Sequence, residues 1–138
     1  MAWYGFAAVV LLLGGCGGPA CEADVACEDT CDNGECAFEC PSEVSCDLDC
    51  DGGDCTLTHT TDARVEFECS GGGCSVETSA TGATSLSCSG NDCDLTCTGP
   101  GACQITDCTA GCTLSCLGTG GCLQSCTDPS CTTIYDAP

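Results

Sequence analysis

The chain has 138 residues, among them 21 Cys and 21 Asp or Glu but a single Lys or Arg, for a net charge of −20. That charge excludes nucleic acid as a partner, because such binding draws its affinity from Lys/Arg–phosphate contacts, and it excludes an electrostatic grip on anionic lipid. Large apolar residues are too sparse for an ordinary core, so covalent cross-links have to substitute for one in what length alone suggests is a single domain.

The chain opens with MAWYGFAAVVLLLGGC, whose apolar run from Phe6 to Leu13 is too short to span a bilayer and has the form of an export signal. It ends at Leu13-Gly14-Gly15-Cys16, with Leu three positions before the Cys and small residues between. This resembles the lipobox of bacterial lipoproteins, although the segment before the apolar run lacks Lys and Arg. The resemblance implies cleavage after Gly15, a thioether lipid on Cys16 and anchorage in the cell envelope. Gly17 in place of the Asp that retains such proteins at the inner membrane implies the outer membrane, on its periplasmic or surface face. The alternative is an ordinary signal peptide with an incidental Cys. Cysteine arithmetic agrees with lipidation: without Cys16 an even twenty remain, and an exported chain sits where disulfides persist.

Beyond a short tether, 16–20, the sequence repeats. Units of the form Cys-x-apolar-x-Cys occur as CAFEC (36–40), CDLDC (46–50), CDLTC (93–97) and CTLSC (112–116). Units with a substituted edge fill the intervals: CTLTH from Cys55, VEFEC from Val65, CSVET from Cys74, TSLSC from Thr84 and CQITD from Cys103. Weaker copies stand at the ends, from Cys27, Cys122 and Cys131. Starting positions advance by alternate steps of 9 and 10, a true period of 19 residues made of two unequal halves. Alternation within each unit predicts a β-strand with Cys, apolar and Cys facing inward and Asp, Glu, Ser or Thr facing water. Gly, Asn, Asp and Ser fill the connectors, as turns require. Residues 21–135 are therefore expected to form an all-β fold, a small two-sided parallel β-solenoid with ~19 residues per coil and a length of roughly 29 Å. A tail of 136–138 follows. Asp29, Gln124 and Thr133 at the inward centre of the end units suit polar caps.

The two long cysteine-free gaps, Cys55 to Cys69 and Cys74 to Cys88, select the disulfide map. Four-residue turns are flanked by Cys31/Cys36, Cys50/Cys55, Cys69/Cys74, Cys88/Cys93 and Cys126/Cys131, and Cys108/Cys112 fits with a slip of one residue. Five-residue turns are flanked by Cys21/Cys27, Cys40/Cys46, Cys97/Cys103 and Cys116/Cys122, while two more are flanked by His59/Val65 and Thr78/Thr84. Cysteines are missing in pairs, as expected if they bond in pairs across each turn. Each small loop contributes about 2 kcal/mol.

A tight solenoid with Cys flanking Gly-containing turns resembles the midge antifreeze proteins, and a Cys-stapled solenoid with outward Thr resembles the beetle ones. The likeness implies ice binding through rows of Thr. Here Thr56, Thr58, Thr96, Thr113 and Thr132 are interrupted by Glu39, Glu77 and Asp94, and no stacked Tyr row is present. Gly/Asp turns also resemble the calcium-binding RTX β-roll, but Cys55 falls where its ligating Asp belongs. A different cation site is a carboxylate ladder on one wall, Glu28, Asp47 and Glu66 in one column with Asp49 and Glu68 in the next. Hard oxygen ligands make Ca²⁺ the one cofactor this pattern raises. Its rival is a solvated acidic face.

Thiolate metal binding is a further alternative, set against the export signal and the lack of Cys-Cys or Cys-x-Cys. One His, at the edge of the CTLTH unit, and one Arg give no catalytic constellation, and His59 reads as a replaced staple. The expectation is a non-enzymatic envelope lipoprotein, held to the membrane by its lipid, with a structural or surface-interaction role toward an unspecified envelope partner.

Overall fold

Residues 27–135 are described by a computed structural model. Alternation in each unit produces a short strand, twelve in all among the described residues: β1 (Cys27–Cys31), β2 (Ala37–Glu39), β3 (Cys46–Cys50), β4 (Thr56–His59), β5 (Val65–Cys69), β6 (Ser75–Thr78), β7 (Thr84–Ser87), β8 (Asp94–Cys97), β9 (Cys103–Cys108), β10 (Thr113–Cys116), β11 (Cys122–Cys126) and β12 (Thr132–Tyr135). Odd strands form one six-stranded parallel sheet and even strands a second. Partners lie 19 residues apart, as in Cys27 with Cys46, Leu48 with Phe67 and Thr56 with Ser75. The chain is thus a β-solenoid of about six coils, two strands per coil, with each wall a parallel sheet.

The interior is one central apolar residue per strand between sulfur-rich edges. Leu48, Leu57, Phe67, Val76, Leu86, Leu95, Ile105 and Leu114 are each no more than 2% exposed. Phe38 meets Phe67 edge-on at a centroid distance of 5.6 Å. Nine disulfides join Cys31–Cys36, Cys40–Cys46, Cys50–Cys55, Cys69–Cys74, Cys88–Cys93, Cys97–Cys103, Cys108–Cys112, Cys116–Cys122 and Cys126–Cys131, each across one turn. Cys27 is disulfide-bonded as well. Cys16 and Cys21, with the signal, tether and tail segments, lie outside the described residues.

The one-residue slip at Cys108 has a structural cause. β9 runs six residues, and its register against β11 shifts, with Ile105 opposite Gln124 but Cys108 opposite Cys126. Asp107 takes the extra step at φ 58°, in the left-handed region that a short polar residue tolerates. This bulge returns Cys108 to the interior and shortens the following turn, so the bond to Cys112 forms across it.

Turns stack as closely as strands do. Coil-to-coil hydrogen bonds run through them, from Glu35 N to Gly53 O (3.0 Å), Asp54 N to Gly72 O (2.9 Å) and Gly73 N to Asn91 O (2.8 Å). A Cβ at Gly82 would lie 1.8 Å from the Ala63 carbonyl oxygen, so the backbone of one coil occupies the place of a side chain on the next. Val44, Ala63 and Ala80, turn residues outside the strand alternation, are also buried.

The C-terminal coil closes the interior with polar side chains. Gln124 Nε2 donates to Cys112 O at 3.2 Å, and Thr133 Oγ1 donates to Gln124 Oε1. Leu117, Leu123, Ile134 and Tyr135 are the exposed large hydrophobic residues among those described, and all lie in or beside this coil. No helix among the described residues is long and apolar enough to cross a membrane.

Candidate functional site

Outward positions of the odd-numbered sheet build the acidic wall. Register places Glu28, Asp47 and Glu66 side by side, then continues to Ser85 and Gln104. The adjacent column runs Thr30, Asp49, Glu68 and Ser87. All five ladder carboxylates are therefore brought onto one face, and shallow grooves form between Asp47, Glu66, Glu68, Ser85 and Ser87 and beside Glu28. Arg64 pairs with Glu66, with both side chains largely exposed, so the pair adds at most about 1 kcal/mol.

Asp49 is the perturbed member. Burial, then the neighbouring charges of Asp51, Asp32 and Asp47, push its carboxyl above the usual carboxylate range, and a backbone hydrogen bond at Cys50 opposes them only in part. Its Oδ1 is shielded from solvent without a hydrogen-bond partner. Asp32 and Asp51 were absent from the sequence-derived ladder because they belong to turns, yet their spacing of one coil, 19 residues, is the signal that would have included them. Among the described residues no three carboxylates bring oxygens within 4.8 Å of one another, so a cation there would require the side chains to re-aim.

The even-numbered sheet presents a different face. Thr56, Ser75, Asp94, Thr113 and Thr132 form one outward column, while Glu39, Thr58, Glu77 and Thr96 form the next. The acidic residues interrupt the hydroxyl rows in space as they do in sequence, so no uninterrupted Thr array is formed along the whole wall.

Both unstapled turns lie next to each other in the stack. His59 is fully buried there, with Nδ1 2.9 Å from Thr84 Oγ1 and 3.4 Å from Thr78 Oγ1, while Thr84 Oγ1 donates to Thr78 Oγ1 at 3.3 Å. A buried polar cluster thus fills the space of two missing bridges. Desolvation lowers the imidazole pKa, and an interaction with the Ala63 backbone acts in the opposite direction. Nε2 has no hydrogen-bond partner. His59 is fully buried with Nδ1 against two threonine hydroxyls, which is the environment of a core residue.

Sulfur is the other concentrated chemistry. Sets of three sulfurs converge within 4.8 Å at Cys31/Cys36/Cys55, Cys50/Cys55/Cys74, Cys88/Cys93/Cys112 and Cys108/Cys126/Cys131. Every cysteine in these sets is disulfide-bonded, so none offers a thiolate to a metal in this oxidised form. No family model, no curated protein and no solved structure matches the chain.

Proposed function

We propose that this protein is a lipid-anchored, non-enzymatic module of a bacterial cell envelope, a stiff disulfide-stapled scaffold that presents its faces to envelope or surface partners. The observation that carries this reading is where the covalent bonds lie. All nine described bridges sit at turns, leaving both six-stranded walls free to present side chains over their full width. Catalytic side chains are scarce: the one His is buried in the staple row and the one Arg is engaged with Glu66. Anchorage rests on Cys16 and the Leu-Gly-Gly preceding it. Expressed in a bacterium with a lipoprotein pathway, the wild type is expected to carry a lipid mass increment on Cys16 and fractionate with membranes. Cys16→Ser should abolish both. A wild-type chain exported without lipid would overturn the anchor.

A second reading, Ca²⁺ binding on the acidic wall, is favoured by the register that sets Glu28, Asp47 and Glu66 side by side next to Asp49, whose carboxyl is raised by burial and then by the charges of Asp51, Asp32 and Asp47. Calcium is then expected to raise the melting temperature through Asp47, Asp49 and Glu66.

A further inference from the structure

The row of bonds across the shorter turns ends in a disulfide unlike the others. Cys126 and Cys131 are both half-exposed, whereas every other described bridge has at least one buried cysteine. Cys131 Sγ lies 3.7 Å from Cys108 Sγ, which belongs to the preceding bridge. Cys112, the partner of Cys108, in turn converges within 4.8 Å on Cys88 and Cys93. No such three-sulfur convergence joins Cys88–Cys93 to Cys69–Cys74 among the described residues. Disulfides exchange by attack of a thiolate on a neighbouring sulfur, so contact between adjacent bridges is the geometric requirement.

We infer that Cys126–Cys131, Cys108–Cys112 and Cys88–Cys93 form a thiol–disulfide exchange relay, entered at the C-terminal coil by dithiol reductants. An external dithiol first reduces Cys126–Cys131; its own two sulfurs become a disulfide, and two electrons and two protons remain on Cys126 and Cys131. Cys131, as thiolate, attacks Cys108 Sγ. The Cys131–Cys108 bond forms, the Cys108–Cys112 bond breaks, and the electron pair leaves on Cys112 Sγ. Cys112 attacks Cys88 or Cys93 in the same manner and releases the other as thiolate. These inner steps carry no net oxidation or reduction. The new Cys108–Cys131 bond ties one coil to the next instead of closing a turn. The relay stops at Cys88–Cys93, leaving the bridges of the acidic half shut.

The full chain treated with one equivalent of dithiothreitol, quenched in acid and mapped by acid-protease peptides, tests this. Expected is a Cys108–Cys131 linked peptide, with alkylatable thiols at Cys126 and at Cys112, Cys88 or Cys93. Thiols confined to Cys126 and Cys131 with Cys108–Cys112 intact, or first reduction at any other bridge, would overturn it. Cys126→Ser supplies the attacking thiol without a reductant. In that variant the free thiol should migrate from Cys131 to Cys112, Cys88 or Cys93, and a thiol that stays on Cys131 sinks the relay.

Discussion

His59 shows how much one position in a repeat can hold. Where its row-mates Cys40, Cys97 and Cys116 bond across the turn, His59 contacts hydroxyls from the next coil, one of them 25 residues away at Thr84. Register to the repeat was enough to identify a replaced staple. The hydrogen bond to Thr84 was not legible, because it spans two turns that sequence treats separately. Burial sets the folded imidazole pKa below its ordinary value of about 6.5, so as pH falls the unfolded chain takes up the proton first. The stability His59 contributes is therefore complete above that ordinary value and is lost as pH drops through it toward the folded one. A fall in melting temperature between about pH 7 and pH 5 is expected. The double variant His59→Cys/Val65→Cys should lose this step and gain about 2 kcal/mol from a restored bridge. Row-mate pairs have Cα separations of 6.0 to 6.6 Å, within disulfide reach. Thermal unfolding across that pH range checks both arms, and an unchanged acid step in the double variant would remove His59 as its source.

Strands and turns were legible to different degrees. Cys-x-apolar-x-Cys dictated strand, inward face and parallel register at once, because side-chain alternation and a fixed 19-residue period leave one arrangement that buries every apolar centre. Turns were recognised by composition alone. Composition did not reveal that Val44, Ala63 and Ala80 point inward, nor that an extra residue in β9 is absorbed by Asp107 rather than by the turn. It also could not rank the glycines, since their role is set by the coil above or below. Gly82 faces the Ala63 carbonyl, a backbone atom that cannot swing aside, whereas a Cβ at Gly121 would meet nothing within 4 Å. Gly82→Ala is thus expected to cost about 3 kcal/mol or prevent folding. Gly121→Ala should stay within about 0.5 kcal/mol of the wild type. Equal melting temperatures for the two variants would show that turns do not stack at sheet spacing.

At the scale of the molecule the dominant asymmetry is charge, with fifteen of the 21 acidic residues at or before Glu68. The solenoid aligns several of them at the ~4.8 Å spacing of neighbouring strands, a crowding the unfolded chain does not have. This was half visible in sequence: the strand period gave the Glu28–Asp47–Glu66 column, but the raised Asp49 carboxyl depends on its burial and on the charges that turn acids Asp51 and Asp32 bring up to it. A carboxyl raised in the folded state binds its proton more tightly there than when unfolded. Its contribution is favourable at acid pH and is lost as pH rises through the folded value, leaving a cost at neutrality. Asp49→Asn removes that cost, so it should raise the melting temperature at pH 7 and make no difference near pH 3. On the calcium reading proposed above, Ca²⁺ would bind the folded wall in preference to the unfolded chain and so stabilise it. Millimolar Ca²⁺ is expected to raise the wild-type melting temperature beyond a NaCl control of equal ionic strength, and Asp47→Asn/Glu66→Gln should diminish that excess. If sodium at matched ionic strength reproduces the whole shift, the wall is screened rather than ligated, and the calcium reading falls while the stapled scaffold stands.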